Sequence, residues 1–439
     1  MVRKTSAGLF ASIYADRPYL GQSTRYDEFV TSRPPPKPLP CATSKSSFSA
    51  DVYTNPYLEF MTNNPTVFHA VDWVANRLKS AGYKHLSERD TWNTQLKPGG
   101  KYYTTRNGSA IIAFAVGEDY KPGHGIGIVA SHIDALTAKL KPIPTLQNKA
   151  GYVQLGVAPY AGGGVSPTWW DRDLGIGGRV LVKDHSTGKI ETQLVKLDWP
   201  IARIPTLAVH FGEAARGPFN PETQMVPIIG LDNSDLSGSS TQASTKIPAG
   251  TFAATQPERL VRAIAGKMGV EDYSSIVNWE LELFDTQLAQ LGGLDREFIF
   301  AGRIDDKLCS WAAIEALLVS ADDMSTGIIK MVGCFDDEEI GSFLRQGARS
   351  NFMSSVIERI CEGLSENAKG PLGGMVESPS CGPNLLNQVL ANSFLVSSDV
   401  CHAVNPNFLG SYLENHAPRL NVGVAVSVCF SFRGTCTKS

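Results

Sequence analysis

The stretch Ile328-Ile329-Lys330-Met331-Val332-Gly333-Cys334-Phe335-Asp336-Asp337-Glu338-Glu339 decides how the chain is read. A mostly apolar, β-prone run passes straight into four consecutive acids. A short apolar run bounded by a polar turn reads as a buried strand. Two other segments repeat the pattern. Gly125-Ile126-Gly127-Ile128-Val129-Ala130 leads into Ser131-His132-Ile133-Asp134, and Ser393-Phe394-Leu395-Val396-Ser397-Ser398 leads into Asp399. The run before Ser131 is continuously apolar, as in a parallel or mixed sheet covered on both faces. Helical spacing is expected over 306–320 and near 353–362. The expected class is α/β, a mixed sheet with helices on both faces. Ligands of such sheets bind beyond the carboxyl ends of the strands. Three such ends would gather one histidine and several carboxylates.

A fourth segment, Arg303-Ile304-Asp305-Asp306-Lys307, directly precedes an apolar helical run. Each piece has a plain reading: Asp305 or Asp306 as a helix N-cap, Asp336 to Glu339 as a solvated turn, His132 as a structural histidine. The competing reading is a metal centre. Four or more carboxylates in one pocket cannot all ionise without a counter-charge, and divalent cations supply it. Mixed His/Asp/Glu ligands suit zinc, manganese or cobalt. One carboxylate can bridge two ions about 3.5–4 Å apart. Adjacent Glu338 and Glu339 can then divide the work, one binding metal and the other taking a proton from an attacking water.

Composition bounds the partners. The 439 residues carry 40 Lys+Arg against 43 Asp+Glu, a net charge of −3, without the basic excess of a nucleic-acid binder. Hydrophobic residues make up 42% and charged residues 19%, which suits a folded protein rather than disorder. No run approaches the roughly 18 apolar residues of a membrane span. The eight cysteines form no C-x-x-C pair, so no zinc knuckle is expected and a reducing compartment is. Val2-Arg3-Lys4 is basic, but the apolar stretch after it is broken by Gly8 and Ser12, which argues against a secretory signal peptide. Residues 1–50 read as a flexible Pro/Ser-rich extension containing Arg33-Pro34-Pro35-Pro36-Lys37-Pro38-Leu39-Pro40. Residues 51–140 read as the first part of a catalytic domain, 141–296 as an inserted β-rich domain, and 297–439 as the second catalytic part.

Together these segments resemble the aspartyl aminopeptidase / vacuolar aminopeptidase I family of dinuclear zinc aminopeptidases. The matching motifs are Ser131-His132-Ile133-Asp134-Ala135-Leu136-Thr137, Trp170-Asp171-Arg172-Asp173-Leu174-Gly175-Ile176-Gly177-Gly178-Arg179, Arg303-Ile304-Asp305-Asp306-Lys307-Leu308-Cys309, Asp336-Asp337-Glu338-Glu339-Ile340-Gly341-Ser342 and Asn405-Pro406-Asn407-Phe408. The first motif reads His-Ile-Asp-Ala rather than His-Thr-Asp-Ser-Pro, closer to the fungal vacuolar branch. By that resemblance His132 and Asp399 hold one zinc, Glu339 holds a second and Asp305 bridges the two. Glu338 is the general base and Asp134 orients His132. The insert is a dimerisation domain, and its His210 reaches a neighbouring subunit's active site to bind substrate. The implied protein is a homo-oligomer, typically a dodecamer, in the cytoplasm or a vacuole. Its partners are peptides, with no nucleic acid and no membrane.

The resemblance also implies a departure. The family ends in a Gly-Gly-Thr segment followed by a last histidine ligand. Here the chain follows the family to about Gly423 and then runs through Val428-Cys429-Phe430-Ser431-Phe432 to Ser439. The expectation is a truncated end with an atypical tail from about 427 and a second zinc site short of one ligand. The expected function is release of N-terminal residues, favouring neutral or apolar ones, by two-zinc hydrolysis. The alternatives are a weakly active or inactive oligomerising scaffold of the same family and a di-metal amidohydrolase of N-acyl amino acids.

Overall fold

A computed structural model of the chain describes residues 7–9, 51–161, 167–197, 199–232, 246–367 and 382–426. Most of the Pro/Ser-rich extension and the tail from about 427 lie outside the described residues. In chain order the strands are β1 (Ala7–Leu9), β2 (Lys84–His85), β3 (Lys101–Arg106), β4 (Ala110–Val116) and β5 (Ile126–His132). Then come β6 (Thr137–Thr145), β7 (Tyr152–Tyr160), β8 (Leu174–Lys183), β9 (Ile190–Lys196), β10 (Ile228–Leu231) and β11 (Ile276–Asp285). The last are β12 (Gln290–Gly292), β13 (Phe298–Phe300), β14 (Ile329–Phe335) and β15 (Phe394–Cys401). The α-helices are α1 (Asp51–Asn63), α2 (Val67–Ser80), α3 (Glu258–Met268), α4 (Ile304–Ser320), α5 (Phe352–Asn367) and α6 (Pro383–Ala391).

Seven strands form a mixed sheet in the order β1-β15-β5-β14-β4-β3-β2. The strands β15, β5 and β14 run parallel, with β5 between the other two. Parallel neighbours place their carboxyl ends on one edge, which is why the three acidic or histidine-bearing segments meet. The sheet is covered on both faces, and β4 shows how. Every residue of β4 is buried, yet period-2 alternation still sorts them. Ile112, Phe114 and Val116 pack with α5 residues such as Phe352 and Ile360. Ile111 and Ala113 pack with Phe68 and Val74 of α2 and Trp311 and Ile314 of α4. Helix α2 starts where Thr66 Oγ1 accepts the His69 N–H, an N-cap, and Arg77 and Lys79 sit in its last turn, complementing the dipole.

The third strand differs from expectation. It does not stop before Asp399 but continues to Cys401, so the acid sits inside β15. The ladder to β1, which pairs Leu9 with Ser398 and Ala7 with Cys401, gives that extension its backbone partners.

Six strands form a second, wholly antiparallel sheet in the order β10-β7-β6-β11-β8-β9. It has its own core, in which Leu174, Ile176 and Val180 of β8 meet Leu260 and Ile264 of α3 and Leu281 of β11. Gly178 of β8 is required by close approach: its φ is +150°, and a Cβ there would lie 2.1 Å from Glu280 O. The chain enters this sheet at Thr137, five positions after His132, and leaves it at Asp285.

Candidate active site

His132 ends β5 and is buried. Its Nδ1 lies 3.2 Å from both the backbone oxygen and Oδ1 of Asp134. Its Nε2 faces the opposite way, 2.9 Å from Asp305 Oδ1, 3.8 Å from Asp399 Oδ1 and 3.9 Å from Glu338 Oε2. Burial alone would lower the imidazole pKa. Hydrogen bonds to Asp134, Asp305 and Asp399 outweigh it and hold the pKa well above the ordinary value. Ser310 Oγ on α4 donates to His132 O at 2.8 Å, fixing the strand end against the helix.

The acids arrive from separate elements. Asp305 and Asp306 occupy the non-helical start of α4, after Arg303 in the left-handed region at φ 61°. Asp306 is wholly buried and accepts the Cys309 N–H through Oδ1 at 3.3 Å. The cap reading and the metal reading therefore meet in one residue. Its Oδ2 has no hydrogen-bond partner among the described residues. Burial pushes the Asp306 carboxyl up to about 8, against the opposing pull of His132. Burial likewise raises Asp399. One ligand atom each from His132, Asp306 and Asp399 lie within 4.8 Å of one another. An imidazole and several carboxylates, one oxygen of them buried and unpartnered, are a donor set that fits zinc.

The acidic turn follows β14. Phe335 pairs in register with His132, so Asp336 to Glu339 begin one residue beyond the histidine's level. Glu338 and Glu339 open a 3-10 turn, Glu338–Ile340. The Glu339 N–H donates to Asp134 Oδ2 at 3.1 Å, which ties the turn to the carboxylate behind the histidine. Glu339 and Asp305 both line a cleft of about 310 Å³ between the two sheets, walled by Leu136, Trp169 and Phe284.

The structure thus gathers His132, Asp134, Asp305, Glu338 and Asp399, with Asp305 and Glu339 lining the adjoining cleft. It does not bring His210 there. That residue is exposed on the 3-10 turn Val209–Ala215, and the described lining of the cleft does not include it. Sequence reasoning treated Asp306 only as an alternative to Asp305, and it missed Tyr160, Glu282 and Lys307. Tyr160 Oη bonds to the acidic turn from β7. Glu282 of β11 lines the cleft and accepts the Val67 N–H at 3.2 Å. Nothing local in the sequence marks those two, because their partners lie more than 170 positions away.

The profile of the aminopeptidase I zinc metalloproteases (M18) matches residues 60–439. The chain belongs to that family. Vacuolar aminopeptidase 1 of Saccharomyces cerevisiae is 40% identical over 377 residues, covering 85% of this chain and 70% of the relative. A solved structure of mApe1 from Chaetomium thermophilum is 58% identical with a TM-score of 0.78, over 85% of this chain and 80% of the other. The S. cerevisiae mApe1 dodecamer is 35% identical with a TM-score of 0.70, over 84% and 76%. As an M18 member the chain is a zinc metallo-aminopeptidase that releases N-terminal residues from peptides. Neither the scaffold nor the N-acyl amidohydrolase is favoured. No helix among the described residues is long and apolar enough to cross a membrane.

Proposed function

We propose that this aminopeptidase uses two zinc ions per subunit, prefers neutral or apolar N-terminal residues, and works as a homo-oligomer. The observation that carries the metal assignment is the convergence of Asp305, Asp399 and Glu338 on His132 Nε2 within 2.9–3.9 Å. In this reading His132 and Asp399 would hold one ion, Glu339 would hold the other, and Asp305 would be shared between them. Bound zinc supplies Lewis acidity, polarising the scissile carbonyl and acidifying water.

The chain's own residues do the rest. Asp134, beside His132 Nδ1, fixes which imidazole nitrogen faces Asp305, Asp399 and Glu338. Glu338 takes the proton of the attacking water and delivers it to the leaving amine. The carboxylates receive the substrate's free α-amine, which confines cleavage to the chain end. Zinc titration of metal-free protein tests this reading, with two ions per subunit expected. A single ion would overturn the two-ion reading, and none would overturn the metal reading.

The inserted region, 141–296 between catalytic parts 51–140 and 297–439, serves dimerisation. Exposed Val209 and Phe211, 82% and 66% accessible beside His210, support a subunit contact there. That contact would carry His210 into a neighbouring subunit's cleft. The solved dodecamer of the S. cerevisiae relative supports the assembly, and the vacuolar relative supports a vacuolar site of action. Light scattering of the purified chain, which should exceed a monomer's mass, tests the assembly.

A further inference from the structure

Tyr160 belongs to the second sheet, yet it bonds to the acidic turn of the first. It is the last residue of β7 and pairs in register with Thr137, the first residue of β6. It is only 7% exposed. Its Oη lies 2.8 Å from Asp337 Oδ1 and 3.2 Å from Asp336 Oδ1. A phenol has one proton to give, and the shorter distance assigns it to Asp337. From the opposite side Lys139 Nζ stands 4.0 Å over the ring centroid while pairing with Glu280 at 3.1 Å. The ring is therefore fixed by the second sheet, and its hydroxyl is spent on the first.

What the hydroxyl holds is a demanding position. Asp337 has φ 65°, the left-handed region that non-glycine residues seldom occupy. Its backbone oxygen accepts from Ile340 N at 3.2 Å and from Ser342 N at 2.7 Å. Those two bonds close the turn that carries Glu338 and Glu339. The Asp337 side chain is buried, and its Oδ2 has no partner among the described residues. Asp337 N–H also donates to Asp336 Oδ1 at 2.8 Å, and the phenol is the hydrogen bond that ties the Asp337 side chain itself, immediately before Glu338, to the second sheet.

We infer that Tyr160 is a positioning residue for the reaction: by holding Asp337 from the inserted sheet, its phenol sets where the Glu338 carboxylate points. The inference rests on the reading of Glu338 as base. It makes the aim of that base depend on how the inserted sheet docks.

Tyr160→Phe removes one oxygen and keeps the ring beneath Lys139. With a neutral aminoacyl reporter amide, kcat should fall about 10- to 100-fold, the worth of one hydrogen bond to a charged group. KM and zinc content should stay those of the unaltered protein, and the fold should remain intact by circular dichroism. Hydrogen exchange should quicken at Ile340 and Ser342 and stay unchanged in β14, a readout that needs no turnover. Unchanged kcat, unchanged exchange at those two amides, or loss of zinc would each overturn the inference. Glu338→Gln separates it from the reading beneath it. Full activity in that variant sinks the base assignment. An inactive Glu338→Gln beside a fully active Tyr160→Phe sinks only the positioning role.

Discussion

Phe335 of β14 and His132 of β5 are register partners across two parallel strands. The acidic turn therefore starts one residue beyond the histidine's level in the sheet. Glu338 Oε2 then comes within 3.9 Å of His132 Nε2. That is too long for a hydrogen bond and close enough for both side chains to act on one small group.

Glu338→Gln should abolish most turnover and leave zinc in place. The amide cannot accept the water proton, and the residue is assigned no metal. A loss of about 10²–10⁴-fold in kcat is expected for a general base. Kinetics paired with metal analysis check it, and near-normal activity would remove Glu338 from the role.

Asp305→Ala should release both ions. One carboxylate bridges them in the proposed arrangement, and without it two cations repel at close range. Metal analysis of the purified variant decides the matter. If two zinc ions stay bound, the bridge belongs to Asp306, which already sits with His132 and Asp399.

A panel of aminoacyl reporter amides should be cleaved fastest when the amino acid is neutral and apolar, with Leu ahead of Asp and Glu. The ground is the His132-Ile133-Asp134-Ala135 motif, which resembles the fungal vacuolar branch. Faster turnover of the acidic reporters would reverse the assignment.

His69 should make stability pH-dependent in the acid range. Burial is the main cause that lowers its pKa from 6.5 to about 4, helped by Lys307 and Lys196. Between those values the unfolded chain binds the proton and the folded chain does not. Stability is therefore complete above pH 6.5 and falls as pH drops toward 4. At 1.36 kcal/mol per unit the loss approaches about 3 kcal/mol. Urea melts at several pH values should show a shallower acid slope for His69→Gln. An identical slope would assign the dependence to other groups.

Lys307→Met should cost about 3 kcal/mol or more. The buried Nζ donates at 2.8 Å to Asn64 O and Pro65 O, and burial pushes its pKa well down. Losing it orphans those carbonyls and takes away one of the two lysines, Lys139 and Lys307, that face the buried Glu282 carboxyl. Adding Glu282→Gln should recover part of the loss. A single variant within about 1 kcal/mol of the parent in urea melts would show that the lysine is dispensable.

The strands and helices that carry His132, Asp305 and Glu338 were legible because each is a local pattern: an apolar run of strand length, then an acid or a helix. The extension of β15 past Asp399 was not, since it depends on pairing with a strand from the other end of the chain. The residues proposed for the metal centre stand in local motifs. The supports around them do not. Tyr160 is one tyrosine among several until β7 folds beside β6, and Lys307 reads as an ordinary surface lysine at the head of a helix. Asp306 was half-read: its spacing to Cys309 announces a cap, while its place in the carboxylate group appears only in three dimensions.

Most apolar residues of the second sheet pack in a core of their own, with Leu194 of β9 reaching across to the core of the catalytic sheet. Two bodies with largely separate interiors, stitched by chain crossings at Thr137 and Asp285, need not melt as one. A calorimetric scan should resolve two heat-absorption peaks rather than one. Because the cleft lies along the seam, catalysis should vanish with the earlier peak, whichever interior gives way first. The working temperature limit of the enzyme is then the lower of two numbers, and stabilising the sturdier half would leave it where it was.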